Sequence, residues 1–203
     1  MTKATRGLRA VARTNTFLKI PRERVGVLIG PEGKTKKHVE EKLKVELQID
    51  SEAGDVIITM AENADDPSTL FKAKDLVTAI GRGFSPEHAF RLVRDEEAVL
   101  DVIDLRSAFG KSEADIKRVQ GRIIGMNGKT RRIIEELTDT NVSVYGHTVS
   151  IIGSVEQVQI ARDAIEMLVK GSMHGTVYRF LHRKRRELKK KKLELWEKPP
   201  KEK

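Results

Sequence analysis

Along the chain, apolar positions switch between a period of two and a period near 3.6. Short alternating runs at residues 16–20, 45–50, 56–60, 100–105, 141–145 and 148–152 read as strands. Helical spacing occupies residues 22–29 and 114–124, each stretch running into a glycine, and resumes after those glycines. Two more helices carry boundary signals. In one, Asp66 is placed as N-cap and Pro67 as the first helical residue, Leu70, Ala73, Val77 and Ile80 share a face, and Gly81 and Gly83 end it. In the other, Ser154 caps the start, Val158, Ala161, Ile165 and Leu168 share a face, and Gly171 lies past the end. Each strand pair, 45–50 with 56–60 and 141–145 with 148–152, can close as a hairpin. The order strand, helix, helix, strand, strand, helix therefore occurs twice, which predicts an α+β chain of two small domains.

The repetition extends to single residues. Val27 to Glu41 reads VLIGPEGKTKKHVEE, and 95 positions further on Arg122 to Glu136 reads RIIGMNGKTRRIIEE. The shared skeleton is two apolar residues, G-x-x-G-K-T, two basic residues, two variable positions and Glu-Glu. Between the copies, Ser85 and Pro86 open a helix through Arg94 on which Phe90 and Val93 can pack, an ordered connector by its composition. The expected organisation is residues 1–83 as the first domain with a basic arm, 84–98 as connector, 99–175 as the second domain, and 176–203 as a basic tail. That tail carries Phe180, Leu188, Leu195 and Trp196 but shows no evident core stripe. These four side chains suit docking on the protein body or a partner better than stacking on bases.

A G-x-x-G corner between two helices has a definite chemistry. It sets the N-terminus of the second helix, with its unpaired N–H groups and positive dipole end, at a tight turn where an anion can approach. Side chains at the glycines would hold a sugar-phosphate backbone away. Lys34 and Lys129 follow directly, and Lys36, Lys37, Arg131 and Arg132 lie within the next turn. A solvated helix face would explain any one of these cations alone, but their recurrence beside a glycine corner favours a phosphate site. The corner is not a nucleotide-binding P-loop: the glycine that motif requires further upstream is replaced by Leu28 and Ile123.

This helix, G-x-x-G, helix arrangement with its apolar-Ile-Gly lead-in resembles the type I KH domain, present here in tandem. The resemblance implies RNA binding in which each G-x-x-G clamps the backbone of about four nucleotides with the bases in an apolar groove. Carried over, the first clamp comprises Ile29, Gly30, Pro31, Glu32, Gly33, Lys34, Lys36 and Lys37. The second comprises Arg122, Ile124, Gly125, Met126, Asn127, Gly128, Lys129, Thr130, Arg131 and Arg132, and Ile49 and Val144 are candidate groove walls. One departure stands out: Lys36 and Arg131 occupy a position that is usually aliphatic in KH domains, which implies either a locally rotated helix or core packing given up for a phosphate contact. Glu32 places a carboxylate inside the first clamp, whereas Met126 and Asn127 add no charge to the second. The second module is therefore expected to dominate RNA binding, with the first a weaker site or a protein contact.

The tandem arrangement, the G-R-G-F-S-P connector and the basic tail are similar, over about residues 17–179, to the archaeal member of the Partner of Nob family of small-subunit ribosome assembly factors. That resemblance implies binding near the 3′ end of small-subunit rRNA, cooperation with the Nob endonuclease, and contact with the alpha subunit of translation initiation factor two. A KH-fold protein scaffold without direct RNA specificity is the other function class left open.

Composition and charge narrow the remainder. The net charge is +9 with 4% aromatic residues and no Cys, which excludes disulfides, thiolate metal sites and cysteine nucleophiles and leaves little for stacking platforms. Residues 177–203 hold 12 Lys or Arg against 4 Glu, so the tail carries nearly all of the net charge. His38, His88, His147, His174 and His182 have no metal-ligand spacing, and Asp65 with Asp66, or Asp95 with Glu96 and Glu97, read as helix-end charges. The expectation is a cytoplasmic, monomeric binding protein that is not an enzyme, with no cofactor, no metal and no membrane span.

Overall fold

A computed structural model describes residues 15–61 and 66–197. The expected element order is present twice. The first copy comprises β1 (Asn15–Lys19), α1 (Arg22–Ile29), α2 (Lys34–Leu43), β2 (Val45–Ile49), β3 (Asp55–Met60) and α3 (Ser68–Gly81). After the short helices α4 (Pro86–Ala89) and α5 (Arg91–Arg94), the second runs β4 (Ala98–Asp104), α6 (Arg106–Phe109), α7 (Glu113–Ile124), α8 (Lys129–Thr138), β5 (Asn141–Tyr145), β6 (Thr148–Ser154) and α9 (Val155–Val169). A final helix, α10 (His174–Glu197), completes the chain. The chain forms two compact units that divide between Lys74 and Asp75, inside α3.

In the first unit the sheet order is β1-β3-β2, all antiparallel, with Leu47 opposite Ile58. Val25 and Leu28 from α1, Val39 and Leu43 from α2, and Leu47, Val56 and Ile58 from the sheet are buried. Asp66 accepts the Ser68 backbone N–H at 2.8 Å and its hydroxyl at 2.5 Å, which holds its carboxyl below the usual aspartate range and satisfies donors at the start of α3.

The second unit repeats this sheet as β4-β6-β5. Ile123, Ile134, Val149, Ile151, Ile165 and Leu168 lie at the centre of its core. Ser154 and Gln157 form the capping box of α9, each side chain bonding the other's backbone. Unlike β3, β6 is buried on both faces through Gly153. Thr148, Ser150 and Ile152 turn away from the helices, and the connector covers them: α5 packs on β4 and β6, and Ser143 Oγ donates to the Arg82 carbonyl at 2.9 Å. Arg91 adds bonds to Asn141 Oδ1 and the Asp139 carbonyl. Gly83, at φ +97°, runs so close to β5 that a Cβ would meet Ser143 Oγ at 2.7 Å. The single connector helix expected over 85–94 is divided at Phe90 into two short helices, and Ala89, Phe90 and Leu92 are buried.

The stretch expected as a tail without a core stripe begins as part of α10, and it does carry one. Val177 and Leu181 are fully buried in the second unit's core, with Phe180 and Leu188 packed against it. Spacings of four and seven residues among arginines and lysines obscured this face. Lys191 also pairs with Glu156 of α9 at 2.9 Å. The side chains of Leu195 and Trp196 lie outside the described residues. Leu181→Ala should therefore destabilise the protein by about 2–5 kcal/mol, the range for truncating a buried leucine. Urea denaturation monitored by circular dichroism measures this, and an unchanged midpoint would show that α10 contributes nothing to the core.

Candidate nucleic-acid interface

The two G-x-x-G corners have nearly the same backbone. Gly30 and Gly125 sit at φ +71° with ψ near 175°, Glu32 and Asn127 at φ 54° and 52°, and Gly33 and Gly128 at φ +74° and +75°. The first glycine is fixed by close approach: a Cβ on Gly30 would overlap the Thr35 hydroxyl, and one on Gly125 the Thr130 hydroxyl. The second glycine is fixed by conformation alone, since a Cβ there would meet nothing within 4 Å. α2 and α8 start directly behind these glycines with no side-chain cap, so the helix N-termini face the loop.

Two further features recur at the same offset. Glu40 Oε1 accepts the Leu47 N–H and Glu135 Oε1 accepts the Val142 N–H, both at 2.9 Å, tying each post-loop helix to the following strand. Lys36 and Arg131 then pair with those carboxylates at 3.8 and 3.7 Å. Each of these cations therefore accompanies a carboxylate that pins its helix to the sheet. Gly26 and Gly121 also match. Each lies within a helix, where glycine costs about 1 kcal/mol relative to alanine, and a Cβ on either would meet nothing within 4 Å. Both were legible as a glycine recurring inside two helical stretches.

The candidate residues divide by environment. In the second corner Met126 is 81% exposed, Ile124 37% exposed, and Asn127 and Lys129 are exposed, making a surface with apolar and cationic parts. Arg132 Nη2 donates to the Asn127 carbonyl at 2.9 Å and braces the loop. In the first corner Pro31, Glu32, Lys34 and Lys37 are exposed and Ile29 is half-buried, with Lys34 Nζ 2.9 Å from the Glu32 carboxylate. Of the groove candidates, Ile49 and Val144 are half-buried, and Val144 packs against its unit's core.

Two candidates in the second unit face inward. Thr130 is 2% exposed, and its hydroxyl lies 2.9 Å from the Tyr178 hydroxyl of α10. Arg122 donates through Nε to the Leu168 carbonyl, which also accepts the Gly171 N–H, and through Nη2 to the Ser172 carbonyl, tying α7 to the turn after α9. The corresponding residue of the first copy is Val27. His174 at the start of α10 bonds the Arg122 carbonyl at 2.9 Å. Tyr178 and His174 had no signal in the repeat, because α10 has no counterpart in the first copy. Among the described residues, no group of three or more His, Cys, Asp or Glu could hold a metal ion, and no helix is long and apolar enough to cross a membrane.

These geometries predict opposite effects of alanine at neighbouring glycines. Gly121→Ala should stabilise the protein by up to about 1 kcal/mol through helix propensity. Gly125→Ala should destabilise it by about 1–3 kcal/mol, because the residue is held in a disfavoured conformation against Thr130. Urea denaturation of both variants checks the pair, and equal shifts would contradict it.

Comparison with known proteins agrees with this geometry. Residues 99–186 match the family described as eukaryotic type KH-domain (KH-domain type I), PNO1 second domain, and residues 24–95 match the Krr1 KH1 domain. A KH domain-containing protein of Methanocaldococcus jannaschii is 51% identical over 90% of this chain and 79% of its own length. The pre-rRNA-processing protein PNO1 of Coccidioides immitis is 31% identical over 68% of this chain, which spans 53% of that relative. A chain in the crystal structure of the a/eIF2alpha–aDim2p–rRNA complex from Pyrococcus horikoshii OT3 superposes with a TM-score of 0.82 at 48% identity, covering 88% of this chain and 97% of that one. With two type I KH folds and these relatives, the chain belongs to the PNO1/Dim2 family of KH-domain RNA-binding proteins.

Proposed function

We propose that this protein binds single-stranded RNA near the 3′ end of small-subunit rRNA during ribosome assembly, with the second G-x-x-G corner as the dominant backbone clamp. It acts by binding and holding the RNA for processing by another enzyme, of the Nob endonuclease type. The observation that carries this reading is the contrast between two corners of matching backbone. The second presents Lys129 beside uncharged Met126 and Asn127, while the first ion-pairs its equivalent cation with Glu32. A phosphate at the first corner would have to displace or face that carboxylate, and a like-charge contact works against binding.

The open space beside Gly121 supports the same assignment, because it leaves room for a sugar or base next to the exposed Ile124. The rRNA in the structure of the Pyrococcus relative supports the nucleic-acid class, and the a/eIF2alpha in the same complex supports a translation-factor partner for this chain. The Glu32–Lys34 pair favours a protein-docking role for the first module.

Fluorescence anisotropy with the full chain at fixed salt tests the clamp. Met126→Asp combined with Asn127→Asp, which keeps both glycines, should weaken binding of a single-stranded RNA at least tenfold, or about 1.4 kcal/mol. Pro31→Asp should cost less than about threefold, since the first loop already holds a carboxylate. A larger loss from Pro31→Asp reverses the ranking of the modules, and no loss from either set assigns both corners to protein docking. Gly121→Ala should lower RNA affinity by about threefold or more while raising stability; unchanged affinity would remove the base or sugar from that side of the loop.

A further inference from the structure

α10 is fixed against the second clamp in a way that gives its charge a direction. Tyr178 bonds Thr130, the residue that fills the space behind Gly125, and His174 bonds the Arg122 carbonyl a few residues before the loop. Val177 and Leu181 are fully buried and Leu188 packs on the core, so the helix is held along its length as well as at its start. Its rotation about its own axis is thereby set. Residues two and three turns beyond Tyr178 at helical spacing, namely Arg185 and Lys189, fall on the side that turns toward the clamp. Both are exposed, and among the described residues they enter no ion pair. Arg185 stands about 10 Å and Lys189 about 16 Å beyond Tyr178 along the axis.

Other basic residues of the helix point elsewhere. Arg179, His182, Arg183 and Arg186 line a shallow cleft with Met167 of α9, and Arg183 lies over the Phe180 ring and near Glu187. Lys191 is paired with Glu156 of α9. The charge run thus splits into a face committed to the protein's own α9 and a face left open beside the clamp.

We propose that the open face of α10 is a second RNA contact, in which Arg185 and Lys189 hold the sugar-phosphate backbone of the strand just outside the clamped nucleotides. This rests on the clamp assignment above. Its chemistry is that of two unpaired cations on a rigid helix, offered to phosphates without reading bases. The clamp would select a single strand, and the helix would add length-dependent affinity and a fixed exit direction for the RNA.

The test uses the full chain and two RNAs carrying the 3′-terminal sequence of small-subunit rRNA. One is about 5 nucleotides long, enough for a KH clamp, and one is about 15 nucleotides long. Arg185→Glu combined with Lys189→Glu should leave binding of the short RNA within about twofold. It should weaken the long RNA at least tenfold and reduce the salt slope for the long RNA by about 1.4, or 0.7 per lost phosphate contact. Arg179→Glu combined with Arg183→Glu makes the same change in net charge on the other side and should cost less than about threefold on either RNA. Equal losses on short and long RNA, or equal losses from the two double variants, would overturn the proposal in favour of general electrostatic attraction. If Met126→Asp with Asn127→Asp leaves both RNAs bound while the α10 variant still weakens the long one, the clamp assignment fails and the helix contact stands.

Discussion

The structure around each loop depends on the contact between the first glycine of G-x-x-G and the threonine five residues later. The threonine hydroxyl occupies the space a Cβ would need, so the two helices approach at a corner no other residue permits. That approach puts three of the four loop residues at positive φ and delivers the next helix start to the protein surface. In the second unit the same hydroxyl is also the anchor for Tyr178, so the last helix of the chain and the loop share one buried polar contact.

Around this common corner the two copies are built alike but present different groups. Both tether the post-loop helix to the following strand through a glutamate that accepts a backbone N–H, and both place a cation beside that glutamate. The divergence lies in groups that touch solvent: a carboxylate in one loop, an apolar and an amide side chain in the other. A single exposed ion pair contributes little to stability, so this difference leaves the fold alone while changing what can approach the loop.

The second unit is also the more enclosed of the two sheets. Its connector covers the side of β6 that would otherwise face solvent, and α10 extends the core that α7, α8 and α9 begin. Arg122 shows how this enclosure reassigns a residue. By its place just before the G-x-x-G it reads as a contact for RNA, yet its guanidinium donates to the Leu168 and Ser172 carbonyls around the end of α9.

The amino-acid sequence by itself determined the α+β class, the two copies of strand, helix, helix, strand, strand, helix, and the position of both glycine corners. These are local properties: apolar periodicity, capping residues and a glycine spacing repeated 95 residues apart. The recurrence of Gly26 with Gly121 and of Glu40 with Glu135 was present in the same alignment of the two copies, although only the structure shows an open helix face and a strand tether. Tertiary structure alone decided that Thr130 and Arg122 turn inward, that the connector breaks at Phe90, and that α10 belongs to the core. Each of these depends on a neighbour roughly 50 residues away or on an element absent from the first copy, and no local pattern encodes which of several possible partners a side chain meets once the chain has folded.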